Sequence, residues 1–425
     1  MSEKIDGRIS RRGFLKGAGA IGLAAPYVIT STALGSEGRP PASERITMGT
    51  IGVGGRGRYD MGAFMQNDDV QMVAVCEVRG DRRKRAKKQV DDHYGTGDCD
   101  TYIDLREMLA RDDIDAVLIA TGDNWHSLAS CMAARAGKDI YSEKPLSVTI
   151  GESRVVADTM RRYSTVFQCG TQRRNIGNFV FAVNLARSGK LGNLHTMHAE
   201  KAWPKSGLDF TVLPEQPQPS RKVMDWDQWL GPALWRPYNK KYYQRGFWSR
   251  HGDFSGGSIT EWGSHTVDLC QWANNADDTA PVEYEPINEQ LDVEARYANG
   301  VKLVIRKGLR FGSCPVRFEG DEGWVETGDS GEIDAEPKSL LEGRNFPGGY
   351  PADNHVREFL DCVKTRQQPV STAYAAHQSI TACHCANVAV RLRRRVKWDP
   401  QKEEFIDDPE ANRLRKRAIR EPWRL

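Results

Sequence analysis

From residue 45 the apolar positions come in short unbroken runs set apart by longer segments of helical period. "RITMGTIGVG" (45–54), "QMVAVCEV" (71–78), "IDAVLIATG" (114–122) and "KDIYSEKP" (138–145) are such runs, with helical stretches such as 125–137 between them. Strands buried on both faces and separated by helices of 10–15 residues predict a parallel sheet built from βαβ units. This half is expected to extend over residues 45–172. The pattern then changes. "LHTMHAEKAW" (194–203) alternates like a strand with one wet face, and a long segment rich in Pro, Trp and Tyr follows from 204 to 251. "LDVEARYANGVKLVIRKG" (291–308) reads as two alternating strands joined at Asn299-Gly300, a strong hairpin signal. "PVRFEGDEGWVETG" (315–328) reads as another hairpin. A mostly antiparallel open sheet with helices on one face is expected over 173–370. A helix from 374 to 394, and the tail to 425, should pack back on the body. The fold class is therefore α/β, with two domains.

The first 35 residues stand outside this pattern. "ISRRGFLKG" (9–17) matches the twin-arginine export signal at every fixed position through Ser10, Arg11, Arg12, Phe14, Leu15 and Lys16. Residues 17–33 carry no charge and are rich in Gly and Ala. They form an apolar segment too short and too weakly hydrophobic for a membrane span. Ser31-Thr32-Ala33 is a candidate cleavage site. The expectation is export in the folded state to the periplasm by the twin-arginine machinery, with no stable membrane span left after cleavage.

Composition narrows the partners. With 28% charged residues and a formal net charge of +3, the chain should be soluble and has no charge bias toward nucleic acid. The basic stretches 391–395 and 413–420 read as solvated faces. Nine cysteines lack regular spacing, and a chain folded in a reducing compartment has little chance to build disulfides. In Cys383-His384-Cys385 the two sulfurs would leave a helix on nearly opposite sides, so buried packing is the better reading than a metal site.

The chemistry concentrates in three places. Gly52-Val53-Gly54-Gly55-Arg56-Gly57 closes a predicted strand and opens a predicted helix, as the dinucleotide fingerprint requires. Glu77 ends the next strand, twenty positions after Gly57. A carboxylate there accepts hydrogen bonds from the adenosine ribose and repels a 2′-phosphate, which favours NAD over NADP, with Arg79, Arg82 and Arg83 close enough to offset that repulsion. Glu143-Lys144-Pro145 ends another strand at the carboxyl edge where open α/β sheets bind ligands. Lys144 there is either a surface lysine before a turn or a group facing the nicotinamide, whose positive ring would favour the neutral amine. Finally, Glu261, His265 and Asp268 fall on one face of a helix over 256–272. A histidine between carboxylates can serve as general acid/base; a surface charge cluster or a metal held by Glu and His at i, i+4 competes, although no third ligand stands out. The reading adopted has no metal.

The Gly-rich turn, the Glu-Lys-Pro tripeptide and the carboxylate-x-x-x-His-x-x-Asp helix, in this order, resemble the glucose–fructose oxidoreductase / inositol dehydrogenase (Gfo/Idh/MocA) family over essentially all of the chain after the signal. The resemblance implies a Rossmann domain followed by an α/β domain with an open, mostly antiparallel sheet, and homo-oligomers formed through that sheet. It implies that Lys144 holds and polarises the reacting hydroxyl and that His265 is the acid/base. Thr121, Asn124 and His126 of "TGDNWH" match a cofactor-contacting turn, and Gln172 and Arg173 of "GTQRRN" match a segment on the substrate side. Glu261 stands where the family has Asp, which leaves its role open between substrate contact and orientation of His265. The site expected is thus catalytic Lys144, His265 and Glu261; cofactor-binding Gly52, Gly54, Arg56, Gly57, Glu77, Thr121, Asn124, His126 and Glu143; and substrate-side Gln172, Arg173, Trp203 and Asp268. Aromatic residues across 203–248 are further candidates to stack on sugar rings, although some of them must simply be core.

These residues predict an exported NAD-dependent oxidoreductase acting on a secondary hydroxyl of a sugar, glycoside or polyol by hydride transfer, with its cofactor tightly bound. Two alternatives stay open. One is glycoside cleavage by transient oxidation, elimination, hydration and re-reduction. The other is a carbohydrate-binding protein without turnover, against which the presence of both Lys144 and His265 argues.

Overall fold

The computed structural model describes residues 40–425 except 206 and 245; the signal read in residues 1–35 lies outside the described residues. Six strands alternate with helices in the first half: β1 (Ile46–Ile51), α1 (Gly55–Met65), β2 (Val70–Cys76), α2 (Gly80–Tyr94), β3 (Asp100–Tyr102), α3 (Leu105–Leu109), β4 (Ala116–Ile119), α4 (Asp123–Arg135), β5 (Asp139–Ser142), α5 (Ile150–Tyr163) and β6 (Phe167–Cys169). They form one parallel sheet in the order β3-β2-β1-β4-β5-β6. The strand order reverses between β1 and β4, and that switch point is where an open α/β sheet leaves a crevice. All four side chains of β4 and of β5 are buried, which is why those strands read as unbroken runs rather than alternations.

The second half begins with α6 (Gly177–Arg187) and β7 (Leu194–Glu200), followed by α7 (Trp226–Leu230) and α8 (Gly257–Ala273). Next come β8 (Glu283–Pro286), β9 (Val293–Arg296), β10 (Lys302–Arg306), β11 (Val316–Gly320), β12 (Gly323–Thr327) and β13 (Ile333–Glu336). The chain closes with α9 (Asp353–Thr365), α10 (Ala373–Leu392), β14 (Val396–Asp399), β15 (Glu404–Phe405) and α11 (Pro409–Arg413). Nine strands form the second sheet, ordered β13-β12-β11-β7-β10-β9-β8-β14-β15. Every neighbouring pair is antiparallel except β7 with β10. Burial alternates along its strands, so one face is packed and the other carries half-buried polar groups such as His198, Arg306 and Arg317. The helices α8 and α10 pack on each other, and the tail returns to the second sheet through β14, which pairs with β8. All nine cysteines are free and buried. Among the described residues no helix is long and apolar enough to cross a membrane.

Several rings of the aromatic segment are core, as expected of some of them. Trp226, Tyr238, Tyr242 and Phe254 are buried together with Leu213 and Met224 as a small core of their own, with Trp229 packed against it. Trp226 and Trp229 stack with ring centroids 4.8 Å apart. Their rings are consumed by one another. This segment seats on the carboxyl edge of the parallel sheet: Gly80 N–H donates to the Val223 carbonyl at 3.0 Å, and Asp225 N–H to that of Val78 at 3.1 Å. The Trp125 indole donates to the Gln228 carbonyl at 2.8 Å. The insertion therefore walls the crevice at the ends of β2 and β4.

Candidate active site

At the end of β1 the chain must turn sharply and let a helix start against a strand. Gly52 does this with φ +83°, and a Cβ there would stand 2.7 Å from the Ala120 carbonyl oxygen; on Gly57 one would stand 2.2 Å from that of Gly52. Neither position tolerates a side chain. Gly54 caps α1 without a side-chain hydrogen bond. The first N–H groups of α1 are thus left for an anion, the arrangement that suits a pyrophosphate. Glu77 is buried at the end of β2, with its carboxylate accepting from Val53 N–H at 3.1 Å and from Arg79 N–H at 3.0 Å. The glycine turn and the acidic residue are therefore one preassembled unit, and these residues fit a dinucleotide.

Arg56 and Glu143 are drawn together. The Arg56 guanidinium bonds Glu143 Oε1 at 3.2 Å and Asp60 Oδ2 at 3.0 Å, and the Gln172 amide donates to Glu143 at 2.7 Å and to the Tyr141 hydroxyl at 3.0 Å. Burial alone would raise the Glu143 carboxyl, but Arg56, then Lys144, hold it below its ordinary value. Asp60 is pushed up by burial and by Glu143. Gln172, expected on the substrate side, is 2% exposed and spends its amide on this network. The pair ties the phosphate turn to the Glu-Lys-Pro turn, a link between residues 87 apart.

Lys144 follows β5, and its ammonium donates to the Glu261 carbonyl at 2.9 Å and carboxylate at 3.3 Å. Burial would lower its pKa; Glu261, then Glu143 and Asp123, more than reverse that and raise it. Without cofactor, Lys144 is a cation. His265, one turn along α8 from Glu261, is 4% exposed, and its Nδ1 has no hydrogen-bond partner. Burial, then Arg173 and Lys144, drive its pKa well below the ordinary imidazole range. The imidazole is therefore neutral.

The one-face reading of α8 needs correcting. Neither carboxylate orients His265. Glu261 turns to Lys144, and Asp268 makes a bidentate ion pair with Arg174, both side chains 1% exposed, with Ser379 adding a hydrogen bond at 2.8 Å. Asp268 is a structural group with no surface left for a substrate. Arg173 is likewise paired, with Asp329 at 2.6 Å, but remains close enough to His265 to act on its charge. Trp203 is half-buried, its ring 4.8 Å from the Arg250 guanidinium and its backbone held by Ser258.

In the TGDNWH turn, Thr121 bonds the Gly122 carbonyl at 3.1 Å, Asn124 that of Leu230 at 3.0 Å, and His126 Nδ1 meets that of Pro145 at 2.7 Å. Asn124 thus ties the turn to the aromatic insertion, and His126 ties it to the residue after Lys144. Sequence reasoning passed over Asp123 in the middle of this turn. Asp123 opens α4, is 2% exposed, and interacts electrostatically with Glu261 and Lys144. The signal was present: a carboxylate at the first position of a helix following a strand of the parallel sheet. Among the described residues no group of three or more His, Cys, Asp or Glu side chains is arranged to hold a metal.

The Gfo/Idh/MocA family model described as "Oxidoreductase family, NAD-binding Rossmann fold" matches residues 46–171, and that described as "Oxidoreductase family, C-terminal alpha/beta domain" matches residues 200–425. A "Glycosyl hydrolase family 109 protein" of Shewanella putrefaciens is 30% identical over 217 residues, 46% of each chain. An "Alpha-N-acetylgalactosaminidase" of Shewanella oneidensis is 31% identical over the same share. The chain thus spans about half the length of these curated relatives. Among solved structures, GenD2 from gentamicin A biosynthesis in complex with NAD superposes with a TM-score of 0.60 at 19% identity, covering 86% of this chain and 98% of that one. That likeness shows the fold.

Proposed function

The chain belongs to the Gfo/Idh/MocA family of oxidoreductases, with an NAD(P)-binding Rossmann domain, and from that premise we propose that it oxidises a secondary hydroxyl of a sugar, glycoside or polyol with NAD. The observation that carries this is the convergence, at the carboxyl ends of β4 and β5, of the Lys144 ammonium with Glu261 and of an imidazole kept neutral by burial. A bound nicotinamide supplies the hydride acceptor. His265 takes the hydroxyl proton while Lys144 holds the oxygen, and Glu261 fixes the ammonium in place. Glu77 favours NAD over NADP in this reading, because a carboxylate at the end of β2 accepts hydrogen bonds from a ribose and repels a 2′-phosphate.

A second reading is glycoside cleavage through transient oxidation. It is favoured by the relatives named as glycosyl hydrolases and as an N-acetylgalactosaminidase. Oxidation of a ring carbon acidifies the neighbouring C–H, which lets the aglycone leave; water then adds and the sugar is reduced again, so no net oxidant is consumed. Export through the twin-arginine route to the periplasm suits either chemistry. A folded, cofactor-loaded domain can use that route, and no pool of NAD lies beyond the membrane. The aromatic insertion that walls the crevice supports retention of the cofactor, and the polar open face of the second sheet supports a homo-oligomer.

The test is incubation of the purified chain, with no nucleotide added, with a panel of glycosides and free sugars. Keto-sugar products establish the first reading and free aglycone with unoxidised sugar the second. Protein that binds sugars yet turns over none, with NAD supplied, would sink both.

A further inference from the structure

Of the groups gathered around Lys144, Asp123 is left without an evident task. Its carboxyl is 2% exposed, Oδ2 has no hydrogen-bond partner, and the Ser255 hydroxyl bonds the group. Its charged neighbours are Lys144 at the end of β5 and Glu261 on α8. From the tail, Arg417 reaches only the backbone of Asn124 and pairs instead with Glu152. The one ammonium within its reach is already bonded by Glu261. A buried acid left in that state costs stability, so a compensating charge is expected when the site is filled.

The strand order says what arrives there. Glu77 marks the adenosine end at β2 and the glycine turn marks the phosphates at β1, so the far end of the dinucleotide falls over β4 and β5. That is about 14 Å along the sheet edge from β2 at the usual strand spacing. Asp123 follows β4 and Lys144 follows β5. The oxidised nicotinamide ring is a cation and the reduced ring is neutral. Resting on the dinucleotide site proposed above, we infer that Asp123 is a positioning residue that supplies the counter-charge to the oxidised nicotinamide and so sets the redox poise of the bound cofactor.

The chemistry of the cluster is consistent with this. In the cofactor-free chain, burial, then Glu261, hold the Asp123 carboxyl toward its protonated form. A cation set beside it favours the carboxylate, so binding the oxidised form releases a proton and binding the reduced form does not. Affinity for NAD should therefore rise with pH where affinity for NADH stays level.

The experiment equilibrates the protein with NAD and NADH against an external redox couple and reads the oxidised-to-reduced ratio of bound cofactor, for the native chain, Asp123→Asn and Asp123→Ser. The variants should favour the reduced form by about tenfold, a rise of about 30 mV for a two-electron couple, and should lose the pH dependence of NAD binding. Unchanged poise in both variants, or equal weakening of NAD and NADH, overturns the proposal. Should neither variant fold, equal pH dependence of NAD and NADH binding in the native chain overturns it. A native chain that binds neither nucleotide overturns the dinucleotide site itself, a result distinct from a nucleotide bound without bias.

Discussion

Glu403 offers a perturbation whose size follows from the structure. It lies between β14 and β15, where the tail must be fastened to two helices. Its carboxylate accepts from Arg154 of α5 at 3.0 Å through Nε and again through Nη2, and from His377 Nε2 of α10 at 2.8 Å. Burial alone would raise this carboxyl; His377, then Arg154, instead hold it at about 2, against an ordinary 4.5. At about 1.4 kcal/mol per unit, that difference corresponds to about 3 kcal/mol. The side chain is 16% exposed, so solvent screening reduces the expectation to about 2 kcal/mol. The sign is that of a depressed acid: the contribution is complete above the unfolded value and is lost as pH falls toward the folded one. Glu403→Gln should therefore lower stability to urea by about 2 kcal/mol at neutral pH, and the gap should shrink by more than half by about pH 3. Beyond Glu403 the tail places Arg417 on Glu152 and on the Asp253 carbonyl, and Arg420 on Gly231 and Asp227. Loosening it should also slacken the start of α4. A gap that is the same at both pH values would show that the carboxylate charge is not what fastens the tail.

Lys144→Met and His265→Asn should each lower kcat by about 10²–10⁴, and His265→Asn should leave thermal unfolding close to that of the native chain; near-native turnover in either removes that residue from the chemistry. Because burial and Arg173 keep the imidazole neutral, kcat/KM should stay level as pH falls through about 6.5, the ordinary histidine value. An acid limb centred there would contradict the burial argument. Asp268→Asn should cost about 3 kcal/mol, since it leaves Arg174 short of a buried partner, with KM unchanged; a raised KM with intact stability would return Asp268 to the substrate. Affinity measured for both dinucleotides should favour NAD, and a preference for NADP would mean that Arg79, Arg82 and Arg83 outweigh Glu77.

What the sequence disclosed was local. The glycine turn, Glu77 and the Glu-Lys-Pro tripeptide are short-range patterns whose geometry follows from φ angles and strand ends, and all lie at one edge of the sheet. The hairpin at Asn299-Gly300 and that of β11 and β12 were legible for the same reason. Strands β3 and β6, three residues each, are too short to show a period. The long segment after β7 was legible as aromatic but not as self-packing, because nothing local distinguishes a ring facing solvent from one facing another ring.

The residues that sequence misplaced share one property: each is a polar or charged group whose partner is distant in the chain. On a helical wheel Glu261, His265 and Asp268 line one face, and a shared face suggests a shared task. In the fold the wheel is cut by its neighbours. Lys144 arrives from β5 and takes Glu261, Arg174 arrives from the segment after β6 and takes Asp268, and the histidine between them is left with an unpartnered Nδ1. Desolvation explains why the partition must be this sharp. A buried carboxylate without a cation is costly, so Glu261 and Asp268 are each paired within the protein, whereas a neutral imidazole can stay buried without a partner charge. That partition supports the proposed role of His265: an imidazole that needs no counter-ion is left available to accept a proton.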